Sequence, residues 1–215
     1  MPKKGKYMSR KFKRSSPIKN PNHPKKGSRI TVDPIRDVAD VKSISKMLSG
    51  EPRNHLLFVM GVNNGLRTVD LLKLKVADVR DMKPGDTLKI KESKTGKDNI
   101  LAMNQKVHNA LWHYLKELNP PDHHYLFKSK KGQNQPITIQ CVNNLIKRWT
   151  KAIHLRGNYG SHSLRKTWGY IQRKEYGMGF EIICKRFNHS SPSITMRYLG
   201  IEDKEVHEAL MNEIG

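Results

Sequence analysis

The chain has 215 residues, with 41 Lys and Arg against 19 Asp and Glu, a net charge of +22 and a pI of about 10.1. That length supports one sizeable domain and a tail, and that charge points to a polyanionic partner, nucleic acid before an anionic membrane. The longest strongly apolar run, Leu56-Leu57-Phe58-Val59-Met60, is too short to span a bilayer, no apolar stretch follows the basic N-terminus as a secretory signal requires, and two cysteines, Cys141 and Cys184, make no disulfide framework. The composition reads as a reduced, cytoplasmic protein.

Residues 1–30 carry eleven Lys and Arg, four Pro and no acid, which leaves +11 on the remainder. So little aliphatic surface cannot offset the entropy of ordering, so the segment is expected to be a disordered arm. Its Lys3, Lys4, Lys6, Arg10, Lys11, Lys13 and Arg14 are candidate contacts to DNA phosphates. One domain is expected over 31–215.

Apolar residues at Val38, Val41, Ile44 and Leu48 predict a helix over 37–48. A second, nearly all buried, is predicted over 53–63 and stopped by Asn63-Asn64-Gly65. A short helix restarts over 66–74. Residues 87–92 and 98–103 read as strands flanking the turn-rich Ser93-Lys94-Thr95-Gly96-Lys97, a hairpin with lysine near its tip. Helices follow over 104–118 and 138–155, separated by Asn119-Pro120-Pro121 and by a basic loop whose Lys128, Lys130 and Lys131 are further candidate DNA contacts. The fold class expected is mainly α with one small antiparallel β-sheet.

Residues 161–200 bring together His162, Arg165, His189 and Tyr198 with no carboxylate among those four, a set suited to an anion that is attacked. Ser161 reads as the N-cap of a helix running to about 175, with His162 and Arg165 on one face of its first turn, where free backbone N–H groups favour anions. Nine residues separate His189 from Tyr198, so one unbroken helix would point them apart. Ser191-Pro192 breaks it, with serine as N-cap and proline at the first helical position, so both can reach one site. A phenol is a weak nucleophile at neutral pH. Arginines that grip two phosphate oxygens and a lysine or histidine that protonates the leaving alkoxide would make attack on a phosphodiester feasible. Nothing in the spacing of Cys, His or Glu suggests a metal, and no glycine loop with lysine opens a helix, so no cofactor is expected; His123-His124 reads as a loop pair.

Five motifs in order resemble the catalytic domain of the tyrosine recombinases, the phage integrase family. They are Gly65-Leu66-Arg67-Thr68-Val69-Asp70, the hairpin Lys94, His162-Ser163-Leu164-Arg165, Asn188-His189, and Thr195 with Tyr198 at the family's spacing. The resemblance implies a site-specific recombinase that cuts and rejoins double-stranded DNA without metal or nucleotide. Arg67 and Arg165 would clamp the scissile phosphate and His189 would donate to a non-bridging oxygen. His162 would take the tyrosine proton and Lys94, rather than Lys97, would protonate the 5′-oxygen. Tyr198 would form a 3′-phosphotyrosyl link. Asp70 would be a support residue, orienting its own helix turn or Arg67. The chain departs from the pattern where Phe187-Asn188 replaces Leu-Gly, a position where asparagine can adopt the left-handed conformation. It departs again in having only the short basic arm where relatives carry a core-binding domain, which bears on site-specificity. A last helix is expected over 202–214; the resemblance implies a dimer or tetramer on DNA in which it docks on a neighbouring copy, the alternative being packing on its own domain. The alternative reading is a recombinase-like protein that binds or regulates DNA without strand transfer.

Overall fold

The computed structural model describes residues 31–201, 207 and 209–214; the basic arm and its seven candidate DNA contacts lie outside the described residues. The chain divides into Met1–Thr31 and Val32–Gly215, and the second unit carries every element named below.

Helix α1 (Val38–Met47) is capped by Asp37, whose carboxylate accepts the Ala39 N–H at 2.6 Å. Helix α2 (Pro52–Asn64) begins with proline and ends at Gly65 in the left-handed conformation. Of the helix expected over 66–74 only α3 (Thr68–Leu71) forms. Strands β1 (Thr87–Lys91) and β2 (Asp98–Ala102) pair antiparallel, Thr87 opposite Ala102 and Lys91 opposite Asp98. Asn104 caps α4 (Gln105–Leu118) and Thr138 caps α5 (Ile139–Ala152), each by a side-chain oxygen accepting an N–H three residues on. Such caps contribute about 1 kcal/mol each. Then come α6 (Ser161–Lys174), α7 (Phe180–Phe187) and α8 (Pro192–Leu199).

Two apolar clusters hold these elements. The larger includes Leu57, Phe58, Leu111 and Trp149, with the Phe58 and Trp149 rings edge to face at 5.9 Å. The smaller, Ile183, Phe187, Leu199 and Ile201, lies where α6, α7 and α8 meet, with Trp168 and Tyr198 packed against it. Gly169 of α6 allows that meeting, since a Cβ there would stand 2.7 Å from the Phe187 ring. Full burial of a phenylalanine is worth about 1.5–3 kcal/mol, so Phe187 anchors the platform on which α8 sits.

Two expectations are corrected. Gly160, not Ser161, is the N-cap of α6; Ser161 is its first residue, held by its N–H donating to Asn143 Oδ1 at 2.6 Å. Of the last helix, expected over 202–214, His207, Ala209 and Leu210 are helical and 211–214 are not, while residues 202–206 and 208 lie outside the described residues; Leu210 and Ile214 are exposed. Among the described residues no helix is long and apolar enough to cross a membrane, and Cys141 and Cys184 are both free.

Candidate active site

The end of α2 is the first fixed point. Gly65 has φ +60°, and a Cβ there would lie 2.7 Å from Trp168, so a side chain is excluded both by conformation and by space. The turn makes Arg67 the residue that opens α3. It also aims the Gly65 carbonyl at Arg165, which donates to it through Nη1 at 2.7 Å and to the Phe187 carbonyl through Nη2 at 2.6 Å. The same guanidinium lies 4.4 Å from the Phe187 ring centre. A buried arginine thus ties the ends of α2 and α7 to α6. Burial, with the nearby charge of Arg67, lowers its pKa to about 10, which leaves it cationic at neutral pH.

The hairpin is the second. Glu92, just past β1, is fully buried and forms an ion pair with Arg67 Nη1. It also accepts from Thr95 Oγ1 at 2.6 Å and Asn99 Nδ2 at 2.9 Å. Burial pushes this carboxyl up, but those hydrogen bonds and the Arg67 charge outweigh it and hold the pKa at about 2. Asp70 accepts from both the Ser93 N–H, at 2.8 Å, and the Ser93 hydroxyl, at 2.6 Å. The Asp70 carboxylate therefore orients the hairpin turn, rather than its own helix or Arg67. Lys94 stands exposed on that turn.

The third is the α7–α8 connector. Asn188 takes the left-handed conformation, φ 51°, in which asparagine replaces glycine at little cost. Ser191 then caps α8 with Pro192 at its start, as the sequence predicts. His189 Nδ1 pairs with Thr195 Oγ1 at 3.0 Å, leaving Nε2 as the free ring nitrogen. Tyr198 projects from α8 so that its hydroxyl lies 3.4 Å from His162 Nδ1 and its ring meets His189 edge to face, 5.3 Å between centres.

Burial and surrounding cations tune these groups. Burial lowers His189 to about 4, helped by Arg165 and Arg67. Partial desolvation of the surface residue His162, then the charges of Arg165, Arg67, Lys94 and Lys166, lowers its pKa as well. Both imidazoles are therefore neutral at pH 7, and a neutral Nδ1 can accept a proton from the phenol. Burial raises the Tyr198 phenol, against the charges of Arg165 and Arg67 and a hydrogen bond from Arg165.

His162, Arg165, His189 and Tyr198 thus gather at one place, with Arg67 close enough for its charge to act on all four and Lys94 on the adjoining turn. Lys128, Lys130 and Lys131 lie on a separate loop, closed by a Lys128–Pro136 bridge and held by Arg53 Nη1 donating to the Lys128 carbonyl at 2.9 Å. Three residues escape a reading of the sequence. Glu92 looks like an exposed strand-end acid. Arg186 looks like a surface cation, yet it donates to the Asn64 carbonyl and Asn99 Oδ1. Lys166 lies buried against the Tyr198 ring; its only sequence signal is its place one residue after Arg165.

Residues 36–205 match the model of the phage integrase family. Over 181 residues the chain is 34% identical to "Probable integrase/recombinase YoeC" of Bacillus subtilis, covering 83% of this chain and 94% of that one. It is 26% identical over 212 residues to "Tyrosine recombinase XerC" of Caldanaerobacter subterraneus subsp. tengcongensis, covering 95% of this chain and 58% of that one. The fold is similar to that of the XerA recombinase crystal structure, with a TM-score of 0.69, 21% identity and coverage of 87% of this chain and 68% of that one. A family match across most of the chain, and a third of the aligned residues shared with a relative over nearly its whole length, agree with the gathered site: the chain belongs to the phage integrase family.

Proposed function

We propose that this protein cuts and rejoins DNA strands through a 3′-phosphotyrosyl intermediate. In that step the Tyr198 hydroxyl oxygen bonds to phosphorus, and the bond from phosphorus to the 5′-oxygen breaks. His162 takes the phenol proton and Lys94 supplies one to the departing 5′-oxygen. Arg67 and Arg165 hold the non-bridging oxygens and offset the charge that builds there, and His189 donates to one of them through Nε2. Rejoining is the reverse, with another 5′-hydroxyl as attacking group. The observation that carries the reading is the 3.4 Å approach of the Tyr198 hydroxyl to His162 beside a buried arginine. The net charge of +22 suits a DNA partner, and the two cysteines suit a reducing, cytoplasmic setting.

Assembly on DNA is part of the same proposal. Residues 202–214 hold five acids and one lysine around Val206, Leu210 and Ile214. A groove of about 790 Å³ between α1, α2, α4 and α6 is lined by Val41, Val62 and Ile171 and by Lys42, Lys46 and Lys106. A tail so rich in acids and apolar residues suits such a basic, apolar groove on a second copy by charge and by hydrophobicity.

The test is incubation with a nicked DNA target followed by denaturing electrophoresis. A protein–DNA adduct stable to denaturant is expected, and Tyr198→Phe should abolish it while DNA binding persists. An adduct that survives that change would remove Tyr198 as nucleophile.

A further inference from the structure

Lys166 follows Arg165 on α6 and is 7% exposed, an uncommon place for an ammonium. Its Nζ lies 4.7 Å from the centre of the Tyr198 ring. Phe187 also meets that ring edge to face at 5.6 Å, and His189 does so at 5.3 Å. Among the described residues, the ammonium is the one positive charge over the face of this ring. Arg165, Arg67 and His162 act instead on the hydroxyl end.

The segment ahead of α1 sets the position of Lys166. The Ile35 N–H donates to Thr167 Oγ1 at 2.8 Å, and Asp33 exchanges hydrogen bonds with Asn158, 2.7 and 2.9 Å. That pins Asp33 and Arg36 beside α6; burial lowers the lysine's pKa most, Asp33 opposes that and Arg36 adds to it.

The face of an aromatic ring carries partial negative charge and attracts a cation within about 6 Å. When a phenol loses its proton, part of the new charge spreads into the ring, so the attraction grows. A fixed cation there favours phenolate over phenol, and beside a ring that is itself half-buried the preference is screened only in part. Only interactions stronger in the transition state than in the ground state accelerate a reaction, and this is one. Burial alone pushes the Tyr198 phenol the opposite way.

We infer that Lys166 is a positioning residue for the nucleophile: its ammonium seats the Tyr198 ring and stabilises the phenolate, both as it attacks phosphorus and as it leaves on rejoining. The inference rests on the reading of Tyr198 as nucleophile, and its test separates the two. A difluorinated tyrosine, more acidic than tyrosine and titrating while lysine is still charged, is placed at position 198 and titrated by absorbance without DNA. The parent protein is compared with Lys166→Met and Lys166→Arg, and with Lys166→Gln should the methionine variant not fold. The phenol pKa should rise by about one unit when the charge is removed, a roughly tenfold change in the equilibrium, and stay at the parent value with arginine. An unmoved phenol overturns the inference. With ordinary tyrosine and nicked DNA, Lys166→Met should form the adduct about tenfold more slowly at pH 7 and recover as pH rises or when the phenol is fluorinated. A slowing equal at every pH and for both phenols would mean a merely structural lysine and would also overturn it. A parent protein that never forms an adduct would overturn the nucleophile reading instead, through an assay the titration does not share.

Discussion

Asp70 grips Ser93 twice, accepting its N–H at 2.8 Å and its hydroxyl at 2.6 Å, although 23 residues separate them. Ser93 immediately precedes Lys94, so the acid of the first arginine motif fixes the turn that carries the hairpin lysine. Glu92, on the other side of Ser93, binds Arg67. The arginine turn and the lysine turn are therefore joined at two points.

Replacing Asp70 by alanine should release the turn while leaving DNA binding in place. Hydrogen bonds to a charged group are worth about 1.5–3 kcal/mol, so even partial loss of lysine placement should slow adduct formation roughly tenfold or more. Single-turnover cleavage of nicked DNA measures the rate. Amide exchange at Ser93 should speed up in the same variant; unchanged exchange would mean the turn is held by something else.

The pH dependence of stability follows from His189. Its folded pKa of about 4 lies below the ordinary 6.5, so between those values the unfolded chain binds the proton and the folded one does not. The contribution is fully present above pH 6.5 and is lost as pH falls towards 4. His162, lowered for the same reasons, adds in the same direction. Urea denaturation of the parent and of His189→Gln across that window should show a smaller acid loss in the variant. Parallel curves would refute the assignment.

The loop that carries Lys130 and Lys131 is closed by the Ser129 N–H donating to the Gln135 carbonyl at 2.7 Å, and both lysines are exposed. If they meet DNA phosphates, changing each to alanine should lower the log–log salt slope of binding by about 0.9 for every phosphate that is no longer neutralised. The weakening should be the same for any DNA sequence, since phosphate contacts carry no base information. A slope that does not move would take the loop off the DNA path.

A chain ended after Ile201 should lack the acidic tail without disturbing either apolar cluster, since Ile201 is the last buried residue described. Binding of one copy to a single site should be retained and cooperative filling of adjacent sites abolished, measured by native gel shift. Lys42→Glu and Lys46→Glu in the groove should have the same effect in the full-length chain. Cooperativity that survives both changes would sink the docking of the tail there.

The local elements and most of the candidate site residues that gather in the fold were legible in the order of residues alone, because their signals are local. Helical spacing, the stop at Gly65, the hairpin and the Ser191-Pro192 break are each written within a few positions. The break mattered most, since it alone let His189 and Tyr198 face one site. What only the tertiary structure decided are the partners of buried charge. Glu92 with Arg67, Asp70 with Ser93, and Lys166 beneath Tyr198 are 25, 23 and 32 residues apart. No period or motif specifies such pairs. They form because a charge taken out of water must find an opposite charge, a hydrogen-bond partner or a ring face, and which one it finds depends on how α2, α6 and the hairpin pack together.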